Sequence, residues 1–197
     1  YQGGKVVDGI GGGICQISST LYNAVVYANL EVVSRRNHGF MTSYASAGRD
    51  ATVVYGAIDF KFKNTRKYPI KIVGSVKNGI AKIDIYGVKE DPEYKVEFQT
   101  SVTDTIPYTV TYIDDETLPV GKEVVEQKGA NGCKSVTYKV LYLNGAAVSK
   151  KMLSSDTYNA MERVIRRGAA TQTTEPVQQP TTVEPTPQPT PEPTPTP

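Results

Sequence analysis

Apolar positions change period along this chain, and the changes divide it. Ile17, Leu21, Ala24, Val25 and Ala28 recur at three- and four-residue intervals, the spacing of one helix face. The pattern predicts a helix that starts at Cys15, just after a run of glycines, and fades near Asn29 and Leu30. Alternation then takes over. Ile58, Phe60 and Phe62 occupy every second position, and strands are predicted at 51–55, 58–62, 70–76 and 80–86. Asn78-Gly79, between the last two, is the residue pair that a two-residue hairpin turn demands. Residues 1–88 therefore read as one N-terminal helix packed on a small, mainly antiparallel sheet.

The charged run Lys89-Glu90-Asp91-Pro92-Glu93 interrupts the pattern and marks a domain boundary. Beyond it Tyr94, Val96 and Phe98 alternate, as do Val136, Tyr138, Val140 and Tyr142, and Asn144-Gly145 offers a second hairpin turn. Residues 93–168 are expected to be all-β, which makes the chain α+β as a whole. This second unit has no histidine and no cluster of reactive groups, so binding or spacing is assigned to it. From 171 to 197 the chain carries nine of its thirteen prolines, many alternating with threonine. Such a segment has no means of building a core and is expected to be a disordered, extended spacer.

A net charge of +2 over 197 residues gives no field that would draw nucleic acid. No uninterrupted apolar stretch reaches the length of a membrane span, so any membrane attachment is expected through an anchor outside this sequence. The chain lacks an initiating Met and reads as a fragment. Two cysteines and one histidine are too few for a disulfide scaffold or a conventional zinc site. Both thiols are expected to be free, Cys133 within a polar turn at Asn131-Gly132-Cys133-Lys134, and neither metal nor cofactor is called for.

Candidate chemistry centres on Cys15. Unpaired amides at a helix start favour a thiolate and can hold an oxyanion, so one short segment would supply nucleophile and electrophilic stabilisation together. The bland alternative is a small buried hydrophobe beside a tight glycine loop. A cysteine nucleophile needs a base, and His38 is the base by elimination. The group that orients it is either Asp50, expected to head a strand, or Asp59 within the next one; Asp50 is preferred, with turn formation as its competing role. Arg35, Arg36 and Arg49 form a possible carboxylate patch or a solvated face. The glycine run lacks the Gly-Lys-Ser/Thr ending of a phosphate loop, and Ser18 and Ser19 have no lysine three residues on.

Gly11-Gly12-Gly13-Ile14-Cys15-Gln16-Ile17-Ser18-Ser19-Thr20-Leu21-Tyr22-Asn23-Ala24, then His38, Gly48-Arg49-Asp50-Ala51-Thr52-Val53, Tyr55-Gly56 and Asp59-Phe60, closely resemble the VanW family over roughly residues 1–88, without that domain's N-terminal portion. Gly121, Gly129, Gly132, Gly145 and Gly168 resemble the pattern of the five-glycine (G-five) domain. The first resemblance implies a Gram-positive extracytoplasmic protein. The family takes its name from vancomycin-type glycopeptide resistance clusters and is associated with L,D-transpeptidation of peptidoglycan through the motif cysteine. The second implies adhesion or amino-sugar polymer binding. Together they imply a cysteine acyltransferase working on peptidoglycan stem peptides and glycan strands in the cell wall. Cys15, His38 and Asp50 would be catalytic, and Gly12, Gly13, Gln16, Ser18 and Arg49 would bind the oxyanion or substrate. An NlpC-type cysteine peptidase and a non-enzymatic wall-binding protein are the alternatives.

Overall fold

The structure, a computed structural model, describes residues 12–168. The front of the glycine run and the proline-rich segment 171–197 lie outside the described residues. Helix α1 runs Ile14–Tyr27 with Gly13 at its N-cap. It ends where Asn29 turns left-handed at φ 56°. Leu30 N then donates to Val25 O and Asn29 N to Val26 O, a Schellman closure that delivers Leu30 into the core.

Strands follow in the order β1 (Glu31–Ser34), β2 (Lys61–Lys63), β3 (Lys71–Lys77) and β4 (Ile80–Tyr86). β1 pairs antiparallel with β2, and β3 with β4. Asn78 and Gly79 both take positive φ at 52° and 75°, the geometry that the sequence pair specifies for the β3–β4 turn. β4 lies against α1.

Two sequence expectations change here. Residues 51–55 form no strand, because the backbone of this segment bonds to helix side chains instead: Ala51 N donates to Ser19 Oγ at 2.9 Å. The expected strand at 58–62 shrinks to β2, since Val54 and Ile58 close a tight turn on each other. β1, which the pattern did not announce, supplies β2 with its partner.

The second unit is all-β. β5 (Lys95–Ile106), β8 (Gly132–Leu143) and β9 (Ala146–Tyr158) form an antiparallel sheet in the order β5-β8-β9. β6 (Val110–Asp114), β7 (Glu123–Gln127) and β10 (Arg163–Arg167) form another, with β10 parallel to β6 and antiparallel to β7. Asn144 and Gly145 make the β8–β9 turn at φ 51° and 83°. Cys133 is the second residue of β8 rather than part of a turn, because Gly132 already pairs with Ile106.

One core spans both units. Tyr22, Val26 and Ala51 are buried with Val96 of β5, and Phe98, Leu141 and Leu153 of the long sheet pack around them beside Val32 and Phe60. Tyr22 meets Phe60 and Phe98 edge-on at 5.7 and 6.1 Å between ring centroids, and Tyr27 meets Phe98 at 5.1 Å. The β5-β8-β9 sheet is thus the wall against which the helix is built.

Candidate active site

One face of α1 is joined to residues 48–53 by side-chain hydrogen bonds at i, i+3 and i+4 spacing. Ser18 Oγ donates to Ala51 O, Ser19 Oγ accepts from Ala51 N, Asn23 Nδ2 donates to Arg49 O at 2.7 Å, and Tyr22 Oη donates to Gly48 O at 3.3 Å. The first intrahelical bond runs from Ile17 N to Gly13 O at 3.0 Å, so the amides of Ile14, Cys15 and Gln16 have no acceptor within the helix. The Cys15 thiol sits half-buried between Thr52 Oγ1 at 3.6 Å and Val53 O at 3.5 Å.

The segment after β1 returns to the helix start and carries His38, 8% exposed, to within electrostatic reach of the Cys15 thiol. Asp50 fixes the ring. Its Oδ2 accepts from His38 Nδ1 at 2.6 Å and from His38 N at 2.7 Å, which directs Nε2 toward Tyr44 Oη at 3.2 Å. Asp50 Oδ1 accepts from Arg35 at 2.8 Å and from Tyr158 Oη at 2.6 Å. With its side chain 2% exposed, the carboxylate is held by four donors in the protein interior.

The charges are mutually supporting. Burial pushes the Cys15 thiol up, but polar interactions with the Val53 backbone, Thr52 and His38, with the charge on His38, outweigh burial and hold it below its ordinary value. Burial pushes His38 down, yet its interactions with Asp50 and Cys15 carry it above its ordinary value. Asp50 is raised by burial and lowered further by His38, Tyr158 and Arg35, so it lies below the usual carboxylate range. Both shifts move the pair toward thiolate and imidazolium.

The other predicted residues divide. Gly12, Gly13 and Gln16 line an open cavity of about 710 Å³ beside the helix start, with Phe60 and Val76 on its apolar wall. Gln16 also borders a second, more polar cavity of about 440 Å³ that reaches Tyr44 and Asn23. Ser18 lines the larger cavity as well, while its hydroxyl donates to the carbonyls of Cys15 and Ala51. Arg49 borders the second cavity; its guanidinium donates to Asn23 Oδ1 at 2.8 Å and Tyr27 Oη at 2.9 Å and lies 4.6 Å over the Phe98 ring, bracing the helix against the sheet. Asp50 heads no strand, and Asp59 is exposed, 3.5 Å from Lys61. Arg35 and Arg36 form no joint patch, since Arg35 is buried between Asp50 and Asp156.

Sequence reasoning missed Tyr158 and Asp156, which come from β9 in the unit assigned to binding or spacing. Their one signal was alternation: positions 156 and 158 share a strand face. Among the described residues no three His, Cys, Asp or Glu side chains gather to hold a metal ion.

Comparison with known proteins agrees with the division of the chain. Residues 1–86 match the family described as VanW like protein, and residues 97–170 match the G5 domain. The chain is 46% identical over 83 residues to the uncharacterised protein YoaR of Bacillus subtilis, covering 42% of this chain and 27% of that protein. It is 35% identical over 75 residues to the resuscitation-promoting factor Rpf2 of Corynebacterium glutamicum, covering 36% of this chain and 20% of that one. It therefore spans about a quarter of the length of these relatives. Two solved structures are similar: an IgA1 protease G5 domain (24% identity, TM-score 0.28, 42% of this chain and 98% of that one) and HP0197-G5 (22%, 0.23, 39% and 99%). The chain is a VanW-like domain, residues 1–86, followed by a G5 domain, residues 97–170.

Proposed function

We propose that this protein is a cell-wall-associated cysteine acyltransferase, an L,D-transpeptidase of peptidoglycan acting outside the cytoplasm. The observation that carries the reading is the Cys15–His38–Asp50 arrangement, with the thiol at a helix start and, within electrostatic reach of it, an imidazole held by a buried carboxylate at 2.6 Å. A binding module has no use for a half-buried thiol within reach of its one histidine. The G5 domain suits attachment to wall glycan.

The Cys15 thiolate attacks the carbonyl carbon of the third stem residue, forming a C–S bond and a tetrahedral oxyanion. Amides of the first helical turn receive that oxyanion, each well-placed donor contributing on the order of 3 kcal/mol. The His38 imidazolium gives a proton to the departing terminal D-Ala amine as the C–N bond breaks, leaving a thioester. An amine from a neighbouring stem then attacks the thioester, His38 takes its proton, and the C–S bond breaks to restore the thiolate. Gly12, Gly13 and Gln16 border the space in which the donor stem would lie.

The test is to incubate the protein and its Cys15→Ala variant with defined muropeptides and an acceptor amine, reading products by mass spectrometry. Cross-linked dimers from the first and none from the second are expected. Free tripeptide stems without cross-links would move the assignment to an NlpC-type peptidase, and no Cys15-dependent product would leave a wall-binding protein.

A further inference from the structure

The last turn of β9 reaches across the domain boundary and grips the segment that carries His38. Asn37 Nδ2 donates to Thr157 O at 2.8 Å, and Asn159 N donates to Gly39 O at 2.7 Å, so the residues on both sides of His38 are fastened to the two residues that flank Tyr158 in the G5 domain. Between those two ties stands Tyr158, 1% exposed. Its hydroxyl donates to Asp50 Oδ1 at 2.6 Å and accepts from Gly48 N at 2.7 Å, and so joins the carboxylate to the turn that precedes it. Two positions back, Asp156 holds the far side of Arg35, whose other nitrogens bond Asp50 Oδ1 and Asp50 O. Of the four donors on Asp50, two belong to His38; the other two are Tyr158 and an arginine that Asp156 braces. Without them Oδ1 has no partner to stop the carboxylate rotating away from the imidazole.

We propose that the G5 domain is part of the catalytic unit, with Tyr158 as the positioning residue that locks Asp50 and, through it, His38 against Cys15. The inference deepens the proposed acyltransferase and rests on that reading for its catalytic consequence. Its structural content, that a G5 side chain sets the protonation of a VanW thiol, is measurable without turnover.

The experiment compares Tyr158→Phe with the parent, both carrying Cys133→Ser so that Cys15 is the sole thiol. His38 is the only histidine in the chain, so its ring resonances can be titrated by NMR without assignment ambiguity. Cys15 is titrated by its alkylation rate against pH. Phenylalanine keeps the ring and removes the hydroxyl. The alkylation midpoint is expected to rise by about half a pH unit, roughly a threefold loss of thiolate well below the midpoint, with a displaced His38 titration. On muropeptides kcat should fall about tenfold at unchanged KM, as for a lost transition-state interaction. Unchanged His38 and Cys15 titrations overturn the proposal, even if the melting temperature falls, since that outcome makes Tyr158 a packing residue. Should Tyr158→Phe not fold, Asn37→Ala loosens the same clamp from its exposed side and is judged by the same two titrations. A parent that forms no cross-links defeats the acyltransferase reading alone, because the titrations still report on Tyr158.

Discussion

Three side chains at the site shift one another toward their ionised forms, and each can be interrogated separately. His38→Asn removes the imidazolium that lowers the Cys15 pKa. The midpoint of Cys15 alkylation should therefore move up toward that of a free thiol, about 8.5, measured as iodoacetamide rate against pH. Stability should follow pH in two opposed limbs. Asp50 is held below its ordinary 3.8, so its contribution is complete above about pH 4 and is lost as pH falls through the folded value. His38 is held above 6.5, so its contribution is complete below about pH 6.5 and is lost as pH rises through the folded value. Melting temperature against pH should show both limbs in the parent, the acid limb flattened in Asp50→Asn and the alkaline limb flattened in His38→Asn. Asp50→Ala strands Arg35, Tyr158 and His38 in the interior at once, and a loss of about 3–5 kcal/mol is expected in denaturant unfolding.

At the level of elements, the turn before Asp50 is as constrained as the residue it delivers. Gly48 has φ +76°, and a Cβ there would stand 1.8 Å from Thr137 Oγ1 of β8. Thr137 is fully buried and bonded to Thr100, so it has no room to yield. Gly48→Ala should cost at least about 1–3 kcal/mol, and adding Thr137→Ala should recover part of the loss by removing the clash while leaving the backbone strain. Urea midpoints for the two variants check this. Gly132 makes the matching approach from the other side: a Cβ there would meet Tyr158 O at 2.2 Å, which explains why β8 can start so close to the end of β9. Local chemistry foresaw the helix, its Asn29 exit and both Asn-Gly turns, because each depends on neighbouring residues. It misjudged 51–55, whose amides found partners on the helix rather than on another strand.

The whole molecule behaves as two family domains around one core. Val96, Phe98, Leu141 and Leu153 of the second cover Tyr22, Val26 and Ala51 of the first. Lys139 reaches Asn29 Oδ1 at 3.0 Å, and Arg66 ties Ala28 O to Glu93 at 3.0 Å across the boundary. Cut near residue 92, the first unit should expose this apolar face and lose Tyr158 and Asp156 together. Expressed alone, residues 1–92 should melt without cooperativity and carry a thiol that alkylates with an ordinary midpoint, whereas the whole chain should unfold in one transition. Two separate transitions in calorimetry would count against the shared core.

Sequence alone determined what neighbours in the chain can decide: a thiol at the start of an amphipathic helix, tight turns where Asn-Gly demands positive φ, and alternating strands beyond residue 93. Only the tertiary structure chose Asp50 over Asp59, gave Arg49 and Ser18 their bracing hydrogen bonds, and brought Tyr158 to Asp50 across 108 positions and Asp156 to Arg35 across 121. The physical reason is that buried polar groups must find partners wherever the fold places them. The identity of a partner more than a hundred residues away leaves no trace in local periodicity.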